Sequence, residues 1–560
     1  MIAECGFRVA DSTYDSVLLS IRSLKSLIRN RRARPLPQAV LTIEAMTLNP
    51  SSINLFEAIF NQEFPDRTAI LSNARATTYR ELEAQTLRAI AHLNTLQVQP
   101  GERVALLLHD SPEFIANFVG VIALGAIAVP INMALRLNEQ IAILKDCSAR
   151  LALVESDVFN SLSPAAREQL PQLKQIIVAA QASDRNPTPA AGSLAQRRSA
   201  DRSADKDQPA FILYTSGSTG EPKGAVHRQS DIFYTNETFC REVLHVRADD
   251  RLFSSSRLPF AYGLGNSLTF PLLNGATSIL CREKPTPEII SDIFSRLRPT
   301  IFFAVPVVYK MLLESHRGVP LDCSNLRLCV SAGEALPAKL GEDWERTFGV
   351  PVLDGIGSTE MLHMFMSNHQ GDVRYGSSGK VLQGYAARLL NPEGQPTPIG
   401  DEGHLWIKGD SAAAGYWQRP ETTAMTFVDG WVRTGDLYRC DADGYFYHMG
   451  RSDDCFKSSG QWVSPVEVEG VLLRHDDVLG VAVVEDFDEA GLPCACAFVV
   501  RRDQATAKNE DELKRELRVL ARENLPRFKQ PQRYIFLSEL PYTATGKIQR
   551  FKLRERLKGL

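Results

Sequence analysis

A segment rich in glycine and hydroxyl side chains is the part of this 560-residue sequence best suited to binding an anion. It reads YTSGSTGEPKG over residues 214–224 and follows the apolar run FIL at 211–213. Glycines let backbone N–H groups approach an anion closely, while hydroxyls and a lysine add donors and positive charge. The spacing GxxxxGK[ST] of a Walker A loop is absent. The composition favours a polyphosphate ligand, and a flexible glycine–serine turn is the alternative.

Five further motifs follow this segment along the chain. They read SAGEALP at 331–337, DGIGSTE at 354–360, TGD at 434–436, GRSDD at 450–454 and TGK at 545–547. Together the six motifs resemble the superfamily of adenylate-forming enzymes, which includes acyl-CoA synthetases, luciferases and the adenylation domains of peptide synthetases. The resemblance runs from roughly residue 78 to residue 551.

Within that superfamily, three longer stretches are similar to the benzoate-CoA ligases: PFAYGLGN at 259–266, DGIGSTEMLH at 354–363 and YTATGKIQRF at 542–551. The resemblance implies ATP, Mg²⁺ and coenzyme A as cofactors and a reaction in two steps. A carboxylate oxygen attacks the α-phosphorus of ATP and releases pyrophosphate, and the CoA thiol then attacks the acyl-adenylate. The protein must mainly align two anions and neutralise the phosphate charge.

The family's nucleotide-binding roles transfer onto matching positions of this chain. Thr359 would bond the α-phosphate, and Glu360 would contact Mg²⁺, which prefers hard oxygen ligands. Asp436 would accept hydrogen bonds from the ribose, and Arg451 would add a ribose or phosphate contact. The β- and γ-phosphates would be held by Thr215, Ser216, Gly217, Ser218, Thr219, Gly220 and Lys223. The adenine slot would be lined by Gly333, Glu334, Ala335, Asp354, Gly355 and Ile356.

Lys547, near the C-terminal end of the chain, is the expected catalytic residue of the first step. It would reach both the substrate carboxylate and the α-phosphate as a flexible point charge. A solvated surface lysine is the alternative. Asp453 matches the family's hinge position, where backbone rotation would move a small C-terminal domain. One orientation would bring Lys547 to the nucleotide, and the other would present Ser459, Gly460 and Gln461 beside the pantetheine channel.

The resemblance also implies a compact pocket for the acyl group. Its walls would be Phe260, Ala261, Tyr262, Gly333, Ile356 and His363. Aromatic walls and small residues suit a flat ring better than a long chain. Core packing is the alternative for the aromatic residues, and a satisfied core histidine is the alternative for His363. Met364 stands where the subfamily usually has isoleucine, so its longer side chain could reshape the pocket floor.

Strands and helices alternate in the region before the first motif. Residues 104–108, 126–131 and 151–155 are predicted strands, with helices beginning at Ser111 and near 138–146, which indicates parallel βαβ units. The expected fold class is α/β: a large N-terminal domain of βαβ-type subdomains plus a β-barrel-like subdomain, and a small mobile α+β C-terminal domain. The predicted domain ranges are an atypical, disordered N-terminal extension at 1–45, a nucleotide- and acyl-binding domain at 46–452 and a lid domain at 453–560.

Bulk composition excludes several other classes of protein. With 44% hydrophobic and 23% charged residues the chain is globular, and a formal net charge of −3 argues against a nucleic-acid partner bound through bulk charge. Ten cysteines without metal-ligand spacing suggest reduced thiols in a cytoplasmic protein. The uncharged stretch 114–135 could span a membrane by length, but its Asn, Gly and Pro residues favour a helix followed by a strand.

Two other functions remain as alternatives. Aryl-acid adenylation could be followed by transfer to the phosphopantetheine of a carrier protein instead of CoA. A non-catalytic nucleotide-binding homologue is less favoured, because Lys223, Glu360, Asp436 and Lys547 are all present. The sequence does not distinguish benzoate from substituted benzoates, and a homodimer is an open alternative to a monomer.

Overall fold

The computed structural model describes residues 41–42, 54–61, 65–72, 75–178, 207–216, 222–316, 318–458, 461–488, 490–502, 509–542 and 548–558. The first strands are β1 (Leu41–Thr42), β2 (Thr68–Ser72) and β3 (Ala76–Thr78). Strand β1 falls within the predicted extension and pairs antiparallel with residues 386–387. The rest of the predicted range 1–45 lies outside the described residues.

The first large sheet has six strands in the order β7-β6-β4-β5-β8-β9. They are β4 (Arg103–Leu107), β5 (Ile127–Pro130), β6 (Leu151–Val154), β7 (Gln175–Val178), β8 (Pro209–Ser216) and β9 (Pro222–Arg228). Neighbouring strands from β7 to β8 are parallel, whereas β8 and β9 form an antiparallel hairpin. The predicted βαβ alternation is therefore confirmed.

Helices cover this sheet and connect its strands. They are Leu55–Phe60, Tyr79–Thr95, Pro112–Ala123, Leu137–Asp146, Ser156–Ser161 and Pro164–Glu168. The Pro112–Ala123 helix begins where Ser111 accepts a hydrogen bond from the backbone N–H of Phe114 (3.1 Å), with Pro112 in the first turn, as helix starts favour. The uncharged stretch is thus a helix plus β5, and no described helix has the length and apolarity needed to cross a membrane.

The second large sheet has nine strands in the order β16-β15-β14-β13-β12-β10-β11-β2-β3. Its later strands are β10 (Arg251–Ser254), β11 (Thr277–Leu280), β12 (Ile301–Ala304), β13 (Leu328–Ser331), β14 (Val352–Gly357), β15 (Met364–Ser367) and β16 (Lys380–Val381). The helices around it are Gln229–Thr235, Ala261–Leu264, Phe270–Leu273, Pro287–Leu297, Pro306–Ser315 and Ala338–Phe348, with π-helices Asn236–Leu244 and Gly265–Thr269 and a 3₁₀ turn Thr359–Met361. Parallel strands β12, β13 and β14 end side by side, which brings the loops after them together.

An antiparallel sheet stands where the sequence predicts a barrel-like subdomain. Its strands are β1 together with β17 (Ala386–Leu390), β18 (Glu402–Lys408), β19 (Phe427–Val428), β20 (Trp431–Cys440) and β21 (Phe446–Arg451), and the helix Pro420–Thr426 precedes β19.

The C-terminal part is a smaller α+β unit. A hairpin of β22 (Phe456–Ser458) and β23 (Gln461–Val463) precedes a three-stranded sheet of β24 (Val478–Phe487), β25 (Pro493–Arg501) and β26 (Arg533–Leu537). Its helices are Pro465–Leu472, Glu510–Asn524 and Arg550–Leu557, with a 3₁₀ turn Arg527–Lys529. Two contacts join it to the helix Pro306–Ser315: Arg502 Nη1 pairs with Glu314 Oε1 (2.7 Å), and Lys310 donates to the carbonyl of Leu479.

Candidate active site

The β8–β9 hairpin carries the predicted phosphate-binding residues at its tip. Thr215 is the cross-strand partner of Lys223, so one hydroxyl and an ammonium lie at the same end of the hairpin, and the next register pair joins residues 216 and 222. A Cβ at Gly224 would lie 2.6 Å from Ile212 Cγ2, so only glycine fits there without displacing a core side chain. Gly217, Ser218, Thr219 and Gly220 lie outside the described residues.

Thr359 and Glu360 form a tight turn directly after β14. Ser358 caps it by accepting a hydrogen bond from the N–H of Met361 (3.3 Å). The Glu360 carbonyl accepts from Ala413 N (2.8 Å), and its carboxylate Oε1 accepts from the Tyr416 hydroxyl (2.6 Å). The Tyr416 ring also lies 5.8 Å from Lys223 Nζ, which places the turn beside the hairpin. A partly exposed carboxylate there is a hard oxygen donor, which fits Mg²⁺.

Asp436 and Arg451 face each other on paired strands. They are register partners of β20 and β21, and Arg451 Nη1 lies 3.3 Å from Asp436 Oδ1. Burial would raise the pKa of Asp436, but a hydrogen bond from His448 and the charge of Arg451 outweigh it and lower the pKa below its usual range. Gly435 has φ +79°, and a Cβ there would lie 2.9 Å from Arg451 Nη2. Asp436 is therefore an ionised acceptor, suited to hydroxyl groups such as those of ribose.

The two predicted adenine-slot segments lie at the ends of neighbouring parallel strands. Ser331 of β13 is paired with Asp354 of β14, so residues 333–335 follow one strand while 354–356 belong to the next. Asp354 is buried, and Leu336 N donates to its Oδ2 (3.3 Å). Burial raises the pKa of Asp354 to about 8. Asp354 Oδ1 and Ser331 Oγ, both buried, have no hydrogen-bond partner among the described residues.

Among the predicted acyl-pocket residues, His363 has a buried ring packed against other aromatic side chains. Ring centroids of Phe270, Phe239 and Tyr262 lie 4.6, 5.2 and 5.5 Å from it. Its Nε2 is 3.2 Å from Asn266 Oδ1, whereas Nδ1 has no partner among the described residues. Burial lowers the pKa of His363 to about 3, so the ring is neutral near pH 7.

The other predicted pocket positions differ in their surroundings. Tyr262 donates to the carbonyl of Val330 (3.1 Å), and Tyr262 and Ile356 pack against the same apolar cluster. Phe260 and Ala261 are partly exposed at the start of a helix. Met364 is buried on β15 and packs against Gly355, where a Cβ would overlap its Cε. The departure from isoleucine therefore lies against β14, which carries residues of the predicted adenine slot.

The predicted catalytic lysine and part of the hinge region have no described geometry. Lys547, Ser459 and Gly460 lie outside the described residues. Tyr542 lies just before the lysine segment; burial, followed by the negative charges of Glu334 and Glu469, raises its pKa. Tyr542 is therefore within electrostatic range of Glu334, a residue of the predicted adenine segment. Asp453 is exposed in the loop between β21 and β22.

The sequence reasoning missed Tyr416 and His227. Tyr416 binds the carboxylate of Glu360, and His227 Nε2 lies 2.7 Å from the carbonyl of Thr359. The only signal in the sequence is their position, since Tyr416 lies in an otherwise unassigned GYW stretch and His227 lies four residues after Lys223.

Two family models match the chain. The model described as "AMP-binding enzyme" matches residues 58–417, and "AMP-binding enzyme C-terminal domain" matches residues 467–547. The chain belongs to the AMP-binding enzyme family.

The chain is also similar to individual CoA ligases that act on aromatic acids. The chain is 41% identical over 495 residues to a benzoate–CoA ligase of Thauera aromatica, covering 87% of this chain and 92% of that protein. It is 38% identical over 502 residues to a 4-hydroxybenzoate–CoA/benzoate–CoA ligase of Rhodopseudomonas palustris, with coverages of 88% and 91%. Among solved structures, the anthranilate CoA ligase AuaEII in complex with anthranoyl-AMP is similar, with a TM-score of 0.84, 37% identity and coverages of 91% and 98%.

Proposed function

We propose that the protein activates an aromatic carboxylic acid, benzoate or a substituted benzoate, with ATP and transfers the acyl group to CoA. The products are aroyl-CoA, AMP and pyrophosphate. The observation that carries this proposal is that residues 354–363 form one continuous strand and turn. This segment contains part of the candidate adenine slot, then Thr359 and Glu360, and ends at His363 in the aromatic cluster. An acyl carboxylate beside that cluster would therefore lie close to the α-phosphate of a nucleotide on the same segment.

In the first half-reaction, the carboxylate oxygen of the acid forms a bond to the α-phosphorus while the bond to pyrophosphate breaks. Lys223 and the hydroxyls of Thr215 and Ser216 neutralise and hold the phosphates that leave, and Thr359 orients the α-phosphate. Lys547 reaches the two reacting anions. Glu360 would hold Mg²⁺, which supplies charge neutralisation on the phosphates when bound.

In the second half-reaction, the CoA thiol attacks the acyl carbon and AMP leaves. The charge that develops on AMP stays near Thr359, while Asp436 and Arg451 hold the ribose end. Rotation at Asp453 withdraws Lys547 and brings Ser459 and Gly460 to the thiol's path. The proposed rotation is supported by the position of Asp453 in an exposed loop between the two parts of the chain. We also infer a cytoplasmic enzyme, because the nine described cysteines are all free thiols.

The experiment is an acid and acceptor panel. Purified protein is given ATP and benzoate, 2-aminobenzoate, 3-hydroxybenzoate or 4-hydroxybenzoate, with CoA or a phosphopantetheinyl carrier protein as acceptor. Pyrophosphate release and the thioester mass are measured, and cyclohexanecarboxylate is the non-aromatic control. Aroyl-CoA formation supports the proposal. Aroyl-carrier without aroyl-CoA would replace it with starter-unit loading, and absence of acid-dependent pyrophosphate release would reject both.

A further inference from the structure

The imidazole of His227 lies between two hydrogen-bond acceptors in the interior of the protein. It belongs to β9, and its side chain is 0% exposed. Nδ1 lies 2.9 Å from Asp231 Oδ2, and Nε2 lies 2.7 Å from the carbonyl oxygen of Thr359. A neutral imidazole carries one N–H and so can satisfy only one acceptor, whereas the imidazolium donates from both nitrogens. The contacts therefore select the doubly protonated ring, provided that Asp231 is ionised.

The surroundings of Asp231 fix it as a carboxylate. Oδ2 also accepts from the backbone N–H of Arg228 (3.1 Å), and Oδ1 accepts from Arg228 Nε (3.0 Å) and Ser230 Oγ (3.3 Å). Both Arg228 groups can only donate, and the adjacent guanidinium charge favours an ionised carboxyl over a neutral one that would donate to His227 Nδ1. Asp231 is itself 0% exposed, and a buried carboxylate that holds a buried imidazolium forms a matched pair of charges.

We propose that His227 is a positioning residue: Asp231 keeps it as an imidazolium, and its Nε2–H fixes the carbonyl of Thr359 for the adenylation step. This inference rests on the proposed function, because it assigns Thr359 to the α-phosphate. His227 touches no substrate atom and acts through the turn. Its strand also carries Lys223, so the same β9 would set both the phosphate-binding ammonium and the α-phosphate turn.

Other contacts hold the same turn from the opposite side. The carbonyl of Glu360 accepts from Ala413 N (2.8 Å), and the carbonyl of Met361 accepts from Ser411 Oγ (2.9 Å). Arg228, which binds Asp231, also donates to the carbonyl of Ala412 (2.8 Å). The His227–Asp231–Arg228 network thus joins β9 to the 411–413 segment with the turn between them. Loss of the His227 hydrogen bond should therefore shift Thr359. A shift of about 1 Å can lower a rate by about 100-fold.

The protonation of the ring can be tested without any activity assay. Full-length protein labelled with ¹⁵N-histidine is studied by solid-state NMR at pH 8, where an ordinary histidine is neutral. His227→Phe keeps a flat ring against Phe211, whose centroid is 5.3 Å away, and identifies the signals that disappear. We expect two protonated ring nitrogens. If the signals that disappear belong to one protonated and one unprotonated nitrogen, the ring is neutral and the proposal is overturned. If His227→Phe does not fold, Asp231→Asn serves instead, and the same ring should change from two protonated nitrogens to one.

The positioning role is tested by separating the two half-reactions. His227→Phe should lower kcat for acid-dependent ATP–pyrophosphate exchange by about 100-fold, with KM for the acid changed less than about threefold. Thioester formation from supplied benzoyl-adenylate should change much less. His227→Gln, which can still donate to Thr359, should recover part of the loss. His475→Gln, which removes a 3.0 Å contact with Glu516 in the C-terminal unit, is the matched control.

Normalisation to active sites separates positioning from folding. If the exchange rate per folded active site in His227→Phe equals that of the unsubstituted protein, His227 is only structural and the proposal fails. Failure of the unsubstituted protein to catalyse exchange would reject the proposed function instead, while the NMR result would still decide the protonation state.

Discussion

At the scale of single residues, the pKa values of two buried aspartates in the candidate site are shifted in opposite directions. Asp436 faces Arg451 and His448, so its pKa is lowered even though burial opposes the charge. The groups that contact the Asp354 carboxyl are uncharged, the backbone N–H of Leu336 among them, so burial outweighs them and raises its pKa to about 8. Near neutral pH the first is an anion, whereas the second is largely a neutral acid. The partners of each carboxyl therefore decide its chemistry.

Asp354 makes the stability of the protein depend on pH. Its folded pKa of about 8 lies above the ordinary value of 3.8, so the folded state keeps a proton that the unfolded state releases. Its contribution to stability is complete below pH 3.8 and is lost as pH rises towards 8, by about 1.4 kcal/mol per pH unit within that window. Asp354→Asn, always neutral, should gain stability relative to the unsubstituted protein as pH rises from 4 to 8 in this window. Melting temperatures of both proteins measure the difference, and a difference independent of pH would contradict the assignment.

Tyr416 should matter for the affinity of the site for the magnesium–nucleotide complex. Tyr416→Phe removes the hydroxyl that donates to Glu360 Oε1 (2.6 Å) and leaves the ring in place. A hydrogen bond to a charged group is worth about 1.5–3 kcal/mol, so we expect MgATP to bind about 10- to 100-fold more weakly by calorimetry. Tyr445→Phe, which loses a hydroxyl bond to Asp372 away from the site, is the control. Equal binding by both variants would show that Tyr416 does not hold the carboxylate.

The residues missed by sequence reasoning share one physical property. Thr359, Glu360, Asp436 and Lys223 stand in short motifs, so their roles could be predicted from residue type and spacing. His227 contacts a carbonyl 132 positions away, and Tyr416 contacts a carboxylate 56 positions away. Such contacts exist only after separate strands and loops assemble. The sequence pattern therefore predicts the groups that meet the ligand better than the groups that hold them.

At the scale of elements, the positions of three parallel strands organise the site. β12, β13 and β14 lie side by side, and the segments that continue β13 and β14 form the candidate adenine edge and the Thr359 turn. The predicted strands 104–108, 126–131 and 151–155 correspond to β4, β5 and β6 within one or two residues. Alternation of apolar segments predicted these elements. The pairing of β2 with β11, about 200 residues later, was not predictable, because it depends on the assembled sheet.

The contact between Arg502 and Glu314 should influence the balance between the two half-reactions. It joins the C-terminal unit to the helix Pro306–Ser315 in the orientation where Tyr542 lies near Glu334. Both side chains are more than one third exposed, and such pairs contribute about 0.2–1 kcal/mol. Arg502→Gln should therefore slow adenylation by up to about fivefold without slowing thioester formation from benzoyl-adenylate.

A double-mutant cycle isolates this pair. Glu314→Gln should have a similar effect, and the double variant should be no worse than either single variant. Arg474→Gln, which loses a 3.2 Å hydrogen bond to Asn524 on the far part of the C-terminal unit, is the control. Additive losses would show that the pair does not act between the two units.

At the scale of the whole molecule, most of the proposed site lies in the larger part of the chain, and the proposed catalytic lysine belongs to the smaller part. Phosphate, ribose and acyl positions all precede residue 452, whereas Lys547 follows it in the C-terminal unit. A net charge of −3 is compatible with a polyphosphate substrate, because the cations proposed to bind it, Lys223, Arg451 and Lys547, act locally. In the proposed mechanism the two units therefore move relative to each other between the two half-reactions.

The measurement that tests this account most directly compares the two half-reactions in the unsubstituted protein and in Lys547→Ala. The unsubstituted protein should release pyrophosphate only with an aromatic acid and should form one AMP per aroyl-CoA. Lys547→Ala should lose adenylation by about 100-fold or more, yet convert supplied benzoyl-adenylate and CoA to benzoyl-CoA at a similar rate. Equal loss of both half-reactions in Lys547→Ala, or formation of ADP instead of AMP by the unsubstituted protein, would contradict the account.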